Sequence, residues 1–272
     1  QAVKGYTKSL TTHFTMQRQK IPLCPYCGKK EVNRHGKSKQ RRVRYRCKLC
    51  KKTFCNRTGT ARLHSHISDR QWEESIRLFA LRGAMSGSDL ARFLEVERKT
   101  GQRIVRKIRR QTSRLPETKL RGTVEADETT LTRTWIWGAV SREAGNLVLR
   151  RVRKRDERTL TKLITKHTEE DSVLFTDEWG GYCNLWNRRK HFTVTHSREF
   201  VSEFCKEVHT NKQEGVWGLI KPIAIHTYRG IPKDKLDEYL KEFTFRYNLK
   251  DYKTRVKVLK SYLSKNFHTL WV

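Results

Sequence analysis

The sequence of 272 residues carries 60 Lys and Arg against 28 Asp and Glu, which gives a formal net charge of +32 at pH 7. Because self-repulsion of this size disfavours a compact isolated chain at low salt, we expect a polyanionic partner, and nucleic acid fits best. Hydrophobic residues make up 36% of the chain, and its seven Trp, nine Tyr and eleven Phe exclude wholesale disorder. No apolar run has the length of a signal peptide or a bilayer span, so we expect no membrane association.

Four cysteines stand in two closely spaced pairs near the start of the chain. Cys24 and Cys27 form the first pair, and Cys47 and Cys50 form the second, with 19 residues between the two pairs. This spacing lets two tight loops present four thiolates to one Zn²⁺ in a tetrahedron. Two disulfides are the alternative, but the expected compartment is reducing, and there paired cysteines favour metal. We predict one structural zinc ion in a zinc ribbon. The remaining cysteines are expected to lie outside the metal site: Cys55, Cys183 and Cys205.

A helical tract follows the ribbon, with apolar residues at three- and four-residue spacings from Asp69 to Gln111. Its second half predicts a helix opened by Ser88 or Asp89, a turn over residues 95–98, and a second helix rich in basic residues. This is the outline of a helix-turn-helix whose second helix enters a major groove. A helical hairpin with a solvated basic face is the alternative. The DNA-contacting residues predicted on the second helix are Arg103, Arg106, Lys107, Arg109 and Arg110.

The chain after Gly122 changes to alternating strand and helix patterns. Three segments rich in β-branched and aromatic residues come first, namely TVEADETTL, TWIWGAVSRE and NLVLRRVRK. A helix, a buried strand at SVLFTDE, a short helix at GGYCNLWNRR, a fifth strand at HFTVTH and a terminal helix follow. This order predicts an α/β fold with a mixed five-stranded sheet.

Acidic residues are scarce, so their placement is informative. Asp127 is expected at the end of the first strand, Asp177 at the end of VLFTD, and Glu214 in the first turn of the helix NKQEGVWGLIKP. Three acids from three elements can converge, and Mg²⁺ or Mn²⁺ needs such oxygen ligands. Two such ions can activate an attacking oxygen and stabilise the leaving oxygen of a phosphodiester. We therefore take these three acids as candidate catalytic residues.

Each of these acids also has a structural explanation. Glu125 and Glu128 compete with Asp127 for its role, and one of the three can instead balance nearby arginines. Asp177 also fits a turn before the Gly-Gly pair that follows it. The catalytic interpretation therefore depends on the three acids occurring together, in order, on the expected elements.

These motifs resemble the DDE transposases of insertion sequences, in the group with an N-terminal zinc ribbon that is related to the eukaryotic Merlin elements. The resemblance implies an RNase H-like catalytic core and a triad of Asp127, Asp177 and Glu214 that binds two Mg²⁺ or Mn²⁺ ions. The 36 residues between Asp177 and Glu214 are similar to the family's spacing. The segments that carry the resemblance, from about Leu23 to Asn248, are CPYC…CKLC, VEADET, FTDEWGGY, HTNKQEGVWGLIK and DEYLKEFTFRYN.

Several further residues follow from the resemblance. Lys221 matches a basic residue that the family places two turns after the third acid to hold DNA phosphate. His209 is a candidate DNA contact, with a structural histidine as the alternative. Asn211 stays open as a DNA contact or as a replacement for Glu214, because some relatives have Asn as the third ligand; these two residues also match a capping box. Residues 129–132 depart from the aromatic and Gly-rich Lys turn common in the family.

The sequence thus predicts a DNA transposase that binds terminal inverted repeats, hydrolyses a phosphodiester and transfers the strand to target DNA. Two DNA ends need two active sites, so we expect a homodimer or larger synaptic complex on double-stranded DNA. A nuclease on the same core and a domesticated, non-catalytic DNA-binding regulator are the alternatives. The expected location is the nucleoid of a prokaryote, or the nucleus for a eukaryotic element. The predicted domains are a basic arm (1–20), the zinc ribbon (21–60), the helix-turn-helix domain (61–115), the catalytic domain (116–250) and a basic tail (251–272).

Overall fold

A computed structural model gives the fold of the chain in two compact units, one ending at Leu63 and the other beginning at His64. The predicted basic arm, Cys183 and Cys205 lie outside the described residues. The structure describes residues 22–39, 41–113, 117–177, 180–182, 185, 189–194 and 209–264. Of residues 262–264 it describes the backbone alone.

The first unit is a small antiparallel ribbon. Its three strands pair in chain order. Tyr45 stacks on Phe54 with ring centroids 5.6 Å apart, and Val32 completes the aromatic and aliphatic part of the core. A core of this size is too small to stabilise the unit by hydrophobic burial alone, so an additional stabilising element is needed. The strands are β1 (Val32–Lys37), β2 (Val43–Cys47) and β3 (Thr53–Cys55).

The second unit begins with three helices. Ser68 and Gln71 form a capping box at the start of the first helix. The Ser86 hydroxyl accepts a hydrogen bond from the backbone N–H of Asp89 and caps the second helix, so the predicted start at Ser88 or Asp89 was wrong. The error arose because two serines precede Asp89, and the earlier one is the cap. These helices are α1 (Asp69–Leu81), α2 (Gly87–Leu94) and α3 (Arg98–Thr112).

Helices α2 and α3 cross at glycines. A Cβ atom on Gly101 would lie 2.3 Å from the carbonyl oxygen of Gly87 and 2.7 Å from the Cβ of Ala91. The chain turns between the two helices at Glu95, which takes the left-handed conformation with φ 53°. This close crossing after a short turn is the geometry expected of a helix-turn-helix.

A five-stranded sheet forms the centre of the second unit. When its strands are numbered in chain order, they lie side by side in the order third, second, first, fourth and fifth. The first three strands in the chain are antiparallel neighbours, and the fourth and fifth run parallel to the first. The predicted α/β fold with a mixed five-stranded sheet is therefore confirmed. The strands are β4 (Thr123–Leu131), β5 (Thr134–Ser141), β6 (Leu147–Val152), β7 (Val173–Asp177) and β8 (His191–Val194).

Helices cover both faces of this sheet because side chains alternate along its strands. On β5, Trp137 packs with the helix α4 (Glu157–His167), whereas Ile136 packs on the opposite face with the helices α5 (Asn211–Pro222) and α6 (Leu236–Asn248). The segment predicted as a basic tail begins with a further helix, α7 (Tyr252–Ser264), which packs against α1 and α3. Within the described ranges, each helix is too short or too polar to cross a bilayer.

A buried ionic cluster joins the helical part of this unit to α6. The Glu242 carboxylate accepts hydrogen bonds from Arg109 on α3 at 2.6 Å, from Arg246 at 2.8 Å and from the Tyr228 hydroxyl at 2.8 Å. Burial acts to raise the pKa of Glu242, but the two guanidinium charges overcome this effect and hold the pKa below its usual value. Arg246 also donates to two carbonyl groups at the end of α1. Helix α3 is therefore fixed to the sheet-containing part of the unit by paired charges.

Candidate functional sites

The central strand β4 carries three acids on alternating faces. Glu125 and Asp127 point to the face covered by α5, and Glu128 points to the other face. Asp127 is the fifth of nine residues in β4, so its predicted place at the end of the strand was wrong. The strand continues because it pairs with β5 through Leu131 and Thr134. The parallel pairing with β7 ends earlier, at Glu125, so the Asp127 backbone lies beyond that ladder.

Two predicted acids occupy equivalent positions on neighbouring strands. The parallel ladder pairs Glu125 with Phe175, and the same register continued by two residues sets Asp127 beside Asp177. Burial, followed by the charges of Asp177 and Asp127, raises the pKa of Glu128 to about 7. The structure thus places Asp127 and Asp177 side by side near the middle of β4, with their charges acting on Glu128, which was considered in the sequence only as a competitor of Asp127.

The Asp127 carboxylate is held in one orientation. One oxygen accepts a hydrogen bond from the Trp217 indole N–H at 2.8 Å, and the other accepts from the backbone N–H of Glu128 at 2.7 Å. Trp217 lies on α5, three residues after Glu214. Helix α5, which carries the third predicted acid, Glu214, is therefore attached directly to the first predicted acid, Asp127.

Gly138 makes room for this attachment. It pairs with Asp127 across the β4–β5 ladder. A Cβ atom at this position would lie 2.4 Å from the Gln213 amide nitrogen and 2.5 Å from the Trp217 ring. The missing side chain lets α5 lie directly on the sheet beside Asp127.

Glu125 fixes the start of α5. Its side chain is fully buried, and it accepts hydrogen bonds from the backbone N–H of Gln213 at 2.9 Å and from the Arg142 guanidinium at 2.6 Å. A carboxylate at this position satisfies an N–H group in the first turn and complements the helix dipole. Glu125 is therefore the acid that balances an arginine, one of the alternatives considered above for the acids of β4.

The capping box predicted from Asn211 and Glu214 does not form at the start of α5. Thr210 is the N-cap residue and makes no side-chain capping hydrogen bond, while Asn211 is the first residue of the helix. The structure assigns part of the capping role to Glu125, which reaches the helix from β4. Because this partner is 88 residues away in the chain, local sequence spacing gives no signal for it.

Glu214 lies on the exposed side of α5, and its carboxylate is 3.4 Å from the Thr210 hydroxyl. Within the part of the chain that the structure describes, Asp127, Asp177 and Glu214 do not form a group with all three ligand atoms within reach of one ion. The structure therefore assembles two acids of the predicted triad and places the third about one helical turn before Trp217. Asn211 is exposed at the beginning of the same helix.

The four paired cysteines form a candidate metal centre. The Sγ atoms of Cys24 and Cys50 are 3.5 Å apart, those of Cys27 and Cys47 are 3.6 Å apart, and all four lie within 4.8 Å of one another. Four thiolates around a zinc ion at about 2.3 Å would lie roughly 3.8 Å apart, so these positions fit tetrahedral Zn²⁺. Cys55 is not part of this group.

The backbone around the cysteines supports the same geometry. Gly28 follows the first pair with φ 70°, and Lys51 follows the second pair with φ 59°, so both loops turn through the left-handed region at the same position. Hydrogen bonding by the backbone N–H of Cys50 is the main cause that lowers the pKa of Cys47 to about 7. A thiol that ionises near neutral pH is suited to act as a metal ligand.

The basic residues predicted on the second helix divide into two groups. Arg103, Arg106 and Arg110 are exposed on α3, and Lys107 is partly exposed. The Arg110 side chain also forms an ion pair with Glu238 at 3.0 Å.

Arg109 is not available for DNA contact. It is only 5% exposed, pairs with Glu242, and its guanidinium carbon lies 3.7 Å from the centre of the Tyr239 ring. Its inclusion among the DNA-contacting residues was wrong, because it lies on the buried side of α3. The sequence contained a signal for this, since Arg109 lies one turn after the apolar Val105 and next to Ile108.

His209 and Lys221 have different surroundings. The His209 ring nitrogen Nδ1 lies 3.0 Å from the Arg142 guanidinium. The backbone carbonyl oxygen of His209 accepts a hydrogen bond from that guanidinium at 2.6 Å. His209 thus belongs to the network around Glu125, which is a structural environment. Lys221 is exposed near the end of α5.

Comparison with known proteins identifies the family. Residues 111–248 match the model of the ISXO2-like transposase domain. This chain belongs to that family. The transposase is 26% identical to an uncharacterized protein in the transposable element ISH50 of Halobacterium salinarum, in an alignment that covers 82% of this chain and 84% of the relative. It is 29% identical over 103 residues to an uncharacterized transposase-like protein of Haemophilus influenzae, covering 38% of this chain and 80% of the relative.

The transposase also matches two solved structures. One is the catalytic core domain of BIV integrase, with a TM-score of 0.31 and 12% identity over 46% of this chain and 82% of that one. The other is the HTLV-2 integrase catalytic core domain in complex with magnesium, with a TM-score of 0.34 and 10% identity over 50% of this chain and 90% of that one. The predicted membership of the insertion-sequence transposases is confirmed by the family match.

The contact between α5 and the sheet predicts opposite effects for two glycines. Gly138→Ala should lower the free energy of unfolding by about 2 kcal/mol, because the new methyl group overlaps Gln213 and Trp217. Gly215→Ala should raise it by up to about 1 kcal/mol, because this glycine faces open space on α5 and alanine favours helix. Denaturant unfolding of both variants checks the prediction. A stable Gly138→Ala protein would show that α5 does not lie against β5 at this point.

Proposed function

We propose that this transposase binds the terminal inverted repeats of its element, hydrolyses a phosphodiester at each end, and joins the freed 3′-hydroxyl to target DNA. The observation that carries this proposal is the equivalent placement of Asp127 and Asp177 on neighbouring parallel strands, with α5 and its Glu214 attached to Asp127 through Trp217. Carboxylates from a strand, its neighbour and a helix on the same face are suited to surround a phosphodiester together with divalent cations.

The chemistry of the donor set fits Mg²⁺ or Mn²⁺, both of which prefer carboxylate oxygen. Asp127, Asp177 and Glu214 are the residues that would hold two such ions. When bound, the ions would polarise the phosphate and stabilise both the attacking and the leaving oxygen. Trp217 keeps the Asp127 carboxylate turned to one side, so that its orientation is set before DNA binds.

Glu214 is preferred to Asn211 as the third ligand. A carboxylate binds a divalent cation better than a neutral amide does. Glu214 also lies closer along α5 to Trp217, the residue that contacts Asp127. Asn211 at the first position of the helix is then proposed as a contact to DNA.

DNA recognition is assigned to basic surfaces apart from the acids. The exposed Arg103 and Arg106 on α3 are proposed to reach base edges or phosphates in a major groove, with Lys107 and Arg110 beside them. Lys221 is proposed to hold a phosphate near the acids, whereas the structural alternative is preferred for His209, because it contacts Arg142. Because two transposon ends must be processed together, a homodimer or larger synaptic complex is proposed, acting on DNA in the nucleoid.

The four cysteines are proposed to bind one structural Zn²⁺. Their mutual distances suit a tetrahedral ion, and the small core of the ribbon needs such an ion for stability. The ribbon would then contribute to the recognition of the element's ends.

The test of the proposal is cleavage and strand transfer on a labelled terminal-repeat duplex in Mg²⁺. Asp127→Ala, Asp177→Ala and Glu214→Ala should each reduce both reactions by at least about 1,000-fold while DNA affinity stays within a few-fold, because the acids would hold the ions rather than the DNA. Lys221→Ala should give a partial defect, since one phosphate contact is lost.

Three outcomes of that assay would change the proposal. Normal cleavage by Asp127→Ala or Asp177→Ala would contradict the proposed mechanism. Normal cleavage by Glu214→Ala together with loss in Asn211→Ala would move the third ligand to Asn211. Intact hydrolysis by the unmodified protein without strand transfer would make it a nuclease.

Zinc content tests the ribbon separately. The unmodified protein should contain one zinc per chain, and Cys47→Ser should lose it and bind terminal repeats more weakly. Cys55→Ser is the matched control and should keep its zinc, because Cys55 is not part of the cysteine group. Full zinc content in the Cys47→Ser protein would overturn the assignment.

A further inference from the structure

An open groove lies between the β4–β5 hairpin and the end of α5. It encloses about 490 Å³ and is bordered by the end of β4, by Lys221, and by the segment that follows α5 up to Gly230. This segment includes a single π-helical turn, Ile223–Thr227, a feature that often marks functional sites.

The groove is continuous with the candidate active site. Strand β4 and helix α5 run in the same direction. Glu125 contacts Gln213 first, Asp127 then contacts Trp217, and further along Leu131 and Lys221 border the groove. Leu131 is four residues beyond Asp127, or about 13 Å along a strand. Lys221 is four residues beyond Trp217, or about 6 Å along a helix. At 3.4 Å per nucleotide of a DNA strand, the groove lies roughly two to four nucleotides from the acids.

The lining of the groove combines two properties. Lys221 and Arg229 supply two exposed cations, and none of the described residues that line it is acidic. Leu131 and Ala224 form a buried apolar floor, and Ile225 beside them is 61% exposed. Cations beside an apolar surface suit a nucleotide, whose phosphate takes the charge and whose sugar and base take the apolar contact.

We propose that this groove holds one nucleotide of the DNA strand that passes through the active site, with Arg229 as a phosphate-binding residue beside Lys221. The inference rests on the proposed function and extends it, because Arg229 had no role in the sequence analysis. It also gives Lys221 a defined location for its contact, on a nucleotide a short distance from the cleaved phosphate.

The experiment maps the contact with single neutral methylphosphonate groups placed two to four nucleotides on either side of the cleavage position in a terminal-repeat duplex. Affinity is measured in Ca²⁺ and cleavage in Mg²⁺. Arg229→Ala should weaken binding of the unmodified duplex about 10-fold, and Arg229→Lys should restore most of the loss because the charge is kept. Arg158→Ala is the matched control, since this exposed arginine lies on α4, which covers the other face of the sheet.

One methylphosphonate position should weaken binding by the unmodified protein and by Arg158→Ala, yet weaken binding by Arg229→Ala clearly less, because the Arg229 contact to that phosphate is already lost and only the neighbouring Lys221 contact remains. The proposal is overturned if Arg229→Ala behaves like Arg158→Ala, or if every methylphosphonate weakens Arg229→Ala as much as the unmodified protein. A protein that binds the duplex but does not cleave it would refute the proposed catalysis while the affinity map still decides the groove. Absence of DNA binding would refute both.

Discussion

The buried carboxylate of Glu125 holds helix α5 on the central strand, and the arrangement of the active-site face depends on it. It satisfies a backbone N–H in the first turn of α5 and pairs with Arg142, whose guanidinium also binds His209. Without this acid, the partly buried Arg142 and the buried N–H group of Gln213 would lose their partner, which is costly. The position of α5 in turn determines where Trp217 meets Asp127.

The position of each acid along β4 sets its surroundings. Glu125 and Asp127 point to the same face two residues apart, yet the first is enclosed by α5 and the second lies where the parallel ladder to β7 has ended. Glu128 points to the other face, where the Tyr182 hydroxyl donates to it. Three neighbouring acids thus acquire three different environments from their position in the sheet. The local sequence around them does not predict this difference.

Patterns that are local in the sequence predicted the fold well. The cysteine spacing anticipated the group of four thiols, and the strand and helix patterns anticipated the mixed sheet. Local spacing was also the source of the errors. The capping-box interpretation of Asn211 and Glu214 missed Glu125, because the true partner comes from a strand that is distant in the chain. Asp127 was expected at a strand end although the predicted segment TVEADETTL already covered β4 up to Leu131, which pairs with Thr134 in a tight hairpin.

Charge was the least informative guide to function at the level of single residues. An excess of 32 positive charges predicts a nucleic-acid partner but does not say which cations face it. Arg109 illustrates the difference, since it lies among exposed arginines on α3 and is itself buried in an ionic cluster with Glu242. The helical position of a basic residue relative to apolar neighbours is a better guide than its presence in a basic run.

The central claim is that Glu125 supports α5 whereas Asp127 performs chemistry, and one paired measurement tests it most directly. Glu125→Gln and Asp127→Asn are compared for denaturant unfolding and for Mg²⁺-dependent cleavage of a terminal-repeat duplex. Glu125→Gln should lose about 3 kcal/mol of stability, because its partly buried partner Arg142 is left without an opposite charge. The free energy of unfolding of Asp127→Asn should stay within about 1 kcal/mol of the parent's, because the amide oxygen still accepts a hydrogen bond from Trp217. This variant should not cleave the duplex. A stable Glu125→Gln protein, or an Asp127→Asn protein that cleaves normally, would contradict the account.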